Sequence, residues 1–328
     1  MTILSTELAP DELAQSRFDT MQNFDWLQEI ASDIRQAILP ALPGDAARER
    51  KQVAFSGDTT FGVDLIAEEA LLKGIQQVDK QIAYFSEDKG LVKLHPEPKW
   101  LLIADPIDGT RPVLCGFEGV ISLALCDYSR VATFGSIVAA VVLEIGTGAS
   151  FYSERGCGVE TQPANRILPS TTSEVESMFW TFDTIGRPVQ HVMVYLQNLI
   201  DNSGLKGAPF LINSAAYAMT RILTGQIDAH VDVGGRILQE EPESESEFRA
   251  IGGGRVVGTF PYDIAAAYLL LKEAGCAISD AFGRSLDDRF LIQDGMGAVM
   301  SCVAASNEKL HRNILNALPG EKRAPDIN

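Results

Sequence analysis

Two stretches near the start of the chain carry apolar residues at helical spacing. Leu27, Ile30, Ala31, Ile34 and Ile38 form one stripe, closed by Pro40 and Pro43-Gly44. Val63, Ile66, Ala67, Ala70 and Leu71 form the second, entered from the turn-rich Ser56-Gly57-Asp58-Thr59-Thr60. The pattern then shifts to short apolar runs that predict strands over 82–85, 100–104, 120–126, 134–143, 150–152 and 178–182. Helical spacing returns over 188–202, 214–224, 262–274 and 307–317, with strands predicted between them at 229–233, 277–279 and 297–304. No internal repeat and no linker rich in Pro, Gly or Ser divides the chain. The segment 239–247 is acidic, lacks an apolar period and precedes Gly252-Gly253-Gly254, so it is expected to be a solvated loop.

Charge narrows the function. The formal net charge of −17 excludes nucleic acid polymers and anionic membranes as expected partners, because both need a basic face. A phosphate ligand would then require metal ions to supply positive charge. The five cysteines are scattered without a Cys-x-x-Cys pair, which argues against a disulfide framework and a thiolate zinc site. Cys126, Cys276 and Cys302 lie in apolar runs and are expected in the core. The first twenty residues include Glu7, Asp11 and Glu12 and no apolar block, so no signal peptide is expected. The run from Val131 to Leu143 is too short to span a bilayer. The expected location is cytoplasmic.

The most informative stretch is Leu101-Leu102-Ile103-Ala104-Asp105-Pro106-Ile107-Asp108-Gly109-Thr110. An apolar strand runs into Asp-Pro, which is expected to take the chain out of the sheet because proline cannot donate to a ladder. The acids then sit at a sheet's carboxyl end, where α/β architectures keep ligands. Gly109 is expected to let backbone approach a ligand, and Thr110 offers a hydroxyl and an N–H. Glu87 and Asp88 likewise follow a strand, while Asp64 and Asp263 fall in first helical turns, the latter if Pro261 is the first helical residue. Two carboxylates about 4 Å apart repel by about 4 kcal/mol at an effective dielectric of about 20. If these acids converge, cations must lie between them. Magnesium fits an all-oxygen ligand set better than zinc does.

An aspartyl-phosphate mechanism of the haloacid-dehalogenase type needs Asp-x-Asp-Gly-Thr. Pro106 stands where its nucleophile would be, which leaves metal-activated water. Asp105-Pro106-Ile107-Asp108-Gly109-Thr110, preceded by Ser86-Glu87-Asp88 and followed by Tyr262-Asp263-Ile264-Ala265-Ala266 and Glu273-Ala274-Gly275-Cys276, resembles the inositol monophosphatase family of magnesium-dependent, lithium-sensitive phosphatases. The resemblance covers about 57–316. It implies an α+β fold, a layered αβαβα sandwich with mixed sheets, forming a single phosphatase unit. Within it, about 11–185 would be an N-terminal lobe carrying most metal ligands, and about 186–328 a C-terminal lobe with Asp263 and the substrate segment.

The resemblance also implies roles. Glu87, Asp105 and the carbonyl of Ile107 would hold a first Mg2+, Asp105, Asp108 and Asp263 a second, and Glu87 with waters a weaker third. Gly109 and Thr110 would receive phosphate oxygens, and Asp64 and Thr110 would orient the attacking water. Asn213, Ser214 and Ala215 align with a segment whose backbone touches substrate hydroxyls, and Asp232 with an acid that binds two sugar hydroxyls. A homodimer is implied as well.

Three features depart from the family pattern. Asp88 replaces a glutamate, Arg111-Pro112 follows Thr110, and about two dozen residues are inserted between Asp232 and Asp263. Arg111 is expected either to clasp a second phosphate or carboxylate or to pair with a neighbouring acid. Inositol monophosphate is the leading substrate implied. Fructose 1,6-bisphosphate and a 3′(2′),5′-bisphosphate nucleotide are alternatives, and a catalytically silent sugar-phosphate-binding protein is the alternative from another class.

Overall fold

The computed structural model describes residues 24–42, 44–78, 81–128, 131–164, 166–293 and 296–320. The N-terminal stretch on which the absence of a signal peptide was expected lies outside them, as does Pro43. Helix α1 (Trp26–Ile38) buries the stripe that ends in Ile38, and a short α2 (Asp45–Arg48) leads into the hairpin β1 (Arg50–Val53) and β2 (Thr59–Phe61). This hairpin has no apolar period to predict it, since all four residues of β1 are exposed. Helix α3 (Gly62–Gln77) follows at once.

A seven-stranded sheet comes next, built from β3 (Ile82–Ser86), β4 (Gly90–Lys93), β5 (Trp100–Asp108), β6 (Val120–Asp127), β7 (Ile137–Glu144), β8 (Ser150–Glu154) and β9 (Glu160–Gln162), with the short α4 (Thr110–Leu114) after β5. Its order is β4-β3-β5-β6-β7-β8-β9, with β3 and β5 parallel and every other neighbour antiparallel. The remaining elements are β10 (Phe179–Phe182), α5 (Val189–Ser203), β11 (Ala208–Phe210), α6 (Ala215–Leu223), β12 (Ala229–Asp232), α7 (Gly234–Glu240), α8 (Glu245–Ile251), α9 (Pro261–Glu273), β13 (Ala277–Ser279), β14 (Cys302–Ala305) and α10 (Glu308–Ala317). They include a five-stranded sheet of order β11-β10-β12-β14-β13, in which β10 runs parallel to both its neighbours.

The elements stack as αβαβα, as the resemblance implies. One face of the large sheet packs on α1 and α3, through residues such as Ile34, Leu71, Leu102 and Leu123. The other face meets α6 and α9, which in turn cover the smaller sheet. Helix α9 is therefore apolar all round, Ile264 to Leu271 being buried without a break, as expected of a helix between two layers. Helices α5 and α10 close the far side. Cys126, Cys276 and Cys302 are buried as expected. No helix among the described residues is long and apolar enough to cross a membrane.

Three expectations need correction. The run 134–143 opens with a single 3-10 turn, Phe134–Ser136, where a Cβ on Gly135 would stand 2.9 Å from the Asp287 carbonyl, and the strand begins only at Ile137. The run 297–304 likewise starts in a 3-10 turn, makes a single bridge from Met300 to Thr259, and becomes a strand only at Cys302. The acidic 239–247 segment is helical, with α7, the turn Pro242–Ser244 and α8 following one another. Fully buried Phe248 anchors it, and Arg236–Glu240 and Arg249–Glu245 pair at i,i+4 spacing, which offsets its like charges.

Candidate active site

Strand β5 carries two of the acids across an irregularity. Asp105 faces Ser122 and Asp108 faces Val120 on β6, so Pro106 and Ile107 bulge against one residue of the partner. The strand thus resumes after Asp-Pro instead of leaving the sheet, which corrects the sequence expectation. Proline explains the gap because it has no N–H for the ladder. The Ile107 N–H turns back to Asp105 Oδ1 at 3.0 Å. Gly109 then takes a φ of +89° and starts α4. A Cβ there would meet Ser214 Cβ at 2.7 Å, so in this structure the glycine admits the α6 segment where a ligand was expected.

Asp263 and Asp64 hold matching positions on two helices. With Pro261 as first helical residue, the Asp263 carboxylate accepts the Phe260 N–H at 2.6 Å. Asp64 does the same with the Phe61 N–H at 2.7 Å. Its other oxygen receives the Thr110 hydroxyl at 2.9 Å, and the Ile107 carbonyl lies 3.1 Å from that hydroxyl. Glu87, after β3, takes a hydrogen bond from Ser56 Oγ at 3.3 Å in the hairpin turn. Asp88 beside it accepts the hydroxyl of Thr60.

All the predicted site residues except Ser214 and Asp232 line one cavity of about 100 Å3. The carboxylate oxygens of Asp105, Asp108 and Asp263 lie within 4.8 Å of one another. Burial, then the charges of Glu87, Asp108 and Asp263, push the Asp105 carboxyl well above its ordinary range. Burial and Asp108 do the same to Asp263, and burial and Asp263 to Glu87. Burial raises Asp108 to about 7, against the hydrogen bonds from Ser214 Oγ at 2.8 Å and the Ala216 N–H at 2.7 Å, which hold it down. Asp64 also rises to about 7, chiefly through burial. Ser214 therefore anchors a predicted metal ligand from behind, and Asn213 and Ala215 stand on the cavity wall. Asn213 has a φ of 56°, and its Oδ1 is buried without a partner.

Asp232, expected to bind two sugar hydroxyls, does not line this cavity. It is 1% exposed and bound bidentately to Arg187, with further hydrogen bonds from Thr259 Oγ1 and the Gly234 N–H. No oxygen is left for a sugar hydroxyl. Burial would raise its pKa, but the Arg187 guanidinium outweighs that and holds it below the usual range. Arg111 takes the second of its two expected roles here, pairing bidentately with Asp58 at 2.6 and 2.9 Å beside the Phe61 ring.

Two wall residues escaped the sequence. Asp183 follows β10 as Glu87 follows β3, so the strand-end rule would have found it. The parallel pairs β3/β5 and β10/β12 both point their carboxyl ends at the site. Arg187 left no comparable signal, since its partner Asp232 is 45 residues away.

The donor set suits a hard divalent cation. Three oxygen ligands converge, two of them buried and Asp263 half-buried, their charged forms are destabilised where they stand, and neither histidine nor cysteine joins them.

Comparison with known proteins agrees with the fold. Residues 20–322 match the profile of the inositol monophosphatase family. The chain is 22% identical over 299 residues to a fructose-1,6-bisphosphatase/inositol-1-monophosphatase of Methanothermobacter thermautotrophicus, covering 88% of this chain and 94% of that one. It is 22% identical over 314 residues to a bifunctional NADP phosphatase/NAD kinase of Methanococcus maripaludis, of which it spans half the length. Among solved structures, the extragenic suppressor protein suhB of Bartonella henselae superposes with a TM-score of 0.69 at 17% identity, over 90% of this chain and 98% of that one. The profile match takes in nearly every described residue, so this chain belongs to the inositol monophosphatase family and is a phosphatase, a phosphoric monoester hydrolase, of the inositol monophosphatase and fructose-bisphosphatase type.

Proposed function

We propose that the chain is a Mg2+-dependent phosphomonoesterase that releases phosphate from a small phosphorylated polyol or sugar by attack of water. The observation that carries this reading is the convergence of Asp105, Asp108 and Asp263, with no guanidinium paired to any of them among the described residues, on the cavity that also holds the Asp64–Thr110 pair. Asp105 belongs to both ligand sets, with Glu87 and the Ile107 carbonyl in one and with Asp108 and Asp263 in the other. Two or three Mg2+ bound there would neutralise the phosphoryl oxygens and make water a better nucleophile. The Gly109 and Thr110 N–H groups would bind phosphate oxygens. Thr110 and Asp64 would hold the attacking water, through the pair their hydroxyl and carboxylate make at 2.9 Å. Asn213 and Ala215 would face the alcohol part of the substrate.

Inositol monophosphate falls within this class. One observation favours the second reading, a substrate with another anionic group such as fructose 1,6-bisphosphate or a 3′(2′),5′-bisphosphate nucleotide. The Arg187 guanidinium occupies Asp232, the acid that would otherwise take two sugar hydroxyls. A homodimer in the cytoplasm and inhibition by millimolar lithium complete the reading. Phosphate release from these three substrates, with Mg2+ and with EDTA, tests it. Mg2+-dependent turnover of at least one is expected. If none turns over while one raises the melting temperature, the protein is a silent sugar-phosphate binder.

A further inference from the structure

The cavity that holds the carboxylates is the smaller of two adjoining spaces, at about 100 Å3. A substrate whose phosphate lies on the carboxylates has a larger space beside it for the part that is not cleaved. A second cavity, of about 320 Å3, adjoins the first and shares Asp58, Arg111 and Val257 with it. Its outer wall comes from the segment inserted between Asp232 and Asp263, through Ile251, Gly253 and Arg255.

Arg255 differs from the other arginines around the site. Arg111 is engaged by Asp58, Arg187 by Asp232, and Arg249 by Glu245. Among the described residues no carboxylate pairs with Arg255. Its stem lies over Gly57 in the hairpin turn, where a Cβ would come within 2.8 Å of Arg255 Cδ. Its Nη1 reaches only the Ala54 carbonyl, at 3.5 Å. Most of its donors are therefore free, on a strongly acidic chain, beside a pocket built of acids. Gly253, with a φ of +65°, lines the same cavity, and a Cβ there would meet nothing within 4 Å.

We infer that Arg255 is a specificity-determining residue which, facing the same cavity as Arg111, binds a second anionic group on the part of the substrate that is not cleaved. The group is a phosphate or a carboxylate, since a guanidinium fork suits both. This rests on the phosphatase reading above, whose substrate it narrows.

The test compares wild type with Arg255→Ala and Arg255→Lys, in Mg2+, on glycerol 2-phosphate, fructose 1,6-bisphosphate and 3-phosphoglycerate. These carry no second anion, a second phosphate and a carboxylate. Arg255→Ala should lower kcat/KM for one or both doubly anionic substrates about tenfold more than for glycerol 2-phosphate, through KM, which is the scale of one charge-assisted hydrogen bond. The lysine variant should fall between. Whichever substrate responds identifies the anion. Equal losses on all three would show that Arg255 only straps the insertion to the hairpin, and would overturn the inference. So would an unchanged ratio, or a wild type that hydrolyses only glycerol 2-phosphate. If the wild type hydrolyses nothing, the phosphatase reading fails, and calorimetric titration with fructose 1,6-bisphosphate decides for Arg255. Binding weakened about tenfold by Arg255→Ala upholds the subsite, and unchanged or absent binding overturns it.

Discussion

Asp105 and Asp232 are both almost wholly buried at the carboxyl ends of strands that run parallel to a neighbour, yet they sit in opposite electrostatic worlds. Asp232 has a guanidinium, a hydroxyl and an N–H on its two oxygens, and its charge is stabilised. Asp105 has Asp108, Asp263 and Glu87 for company, and its charge is opposed. Burial alone therefore says nothing about role. A buried acid that comes with its own cation is part of the scaffold. A buried group of acids without one carries a cost that an external cation would relieve.

The largest expected effect comes from Asp105→Asn. It removes a ligand shared by both proposed metal sets, and Mg2+-dependent turnover should fall more than about a thousandfold. Because it also removes a repelled charge, the melting temperature in EDTA should hold or rise. A drop in that temperature together with near-normal turnover would place Asp105 on the Asp232 side of the comparison.

Arg187→Met probes the other member. It leaves Asp232 buried and unpaired, which should lower unfolding free energy by on the order of 3 kcal/mol in urea titrations. A loss below 1 kcal/mol would mean that Asp232 finds water or another donor and is less committed to the scaffold than its contacts indicate.

Much of this contrast was legible in the chain, for a physical reason. The acids of the pocket are announced locally by a strand that stops, a proline and a first helical turn, so Asp105, Asp108, Glu87 and Asp263 can be read within a few residues of each signal. What neutralises an acid is not local. The pairs Arg187–Asp232 and Arg111–Asp58 join residues 45 and 53 positions apart, and nothing near either partner marks the match. Asp183 obeys the strand-end rule but lacks an adjoining motif. The helices of the acidic segment depend on the burial of Phe248 in a core assembled from elsewhere. The bulge at Pro106 needs β6 alongside before it can be seen.

The pH dependence of stability should separate the two regions by about 1.4 kcal/mol per pH unit for each proton involved. Asp64 and Asp108 titrate near 7 in the folded protein and near 4 unfolded, so the folded form holds protons that the unfolded chain releases in that window. In EDTA the protein should lose stability as pH rises from about 4 to about 7. Saturating Mg2+ should flatten the slope, since the ions bind only deprotonated ligands. Asp232, with its depressed pKa, contributes stability that is present above its unfolded value near 4 and lost only below it, so it should be silent in this window. Thermal melts at pH 5 and pH 8, with and without Mg2+, measure all of this. A metal-free melting temperature that rises with pH would show that the pocket acids are neutralised from within.

Asp108 lies between the extremes, and the smallest predicted effect is found there. It lacks a cation, but the Ser214 hydroxyl and the Ala216 N–H both reach Oδ2. That leaves one oxygen tied to the α6 segment and the other free to face Asp105 and Asp263, a division that orients a ligand without neutralising it. Ser214→Ala removes one of the two donors and should weaken Mg2+ binding by about fivefold, close to 1 kcal/mol, read as the Mg2+ concentration that gives half-maximal stabilisation. The metal-free melting temperature should change little, because at neutral pH the added cost falls on a carboxyl already half protonated. If the metal affinity stays the same and the metal-free protein melts lower, the Ser214 hydroxyl serves packing between β5 and α6, and Asp108 belongs with Asp232 among the acids that the fold satisfies by itself.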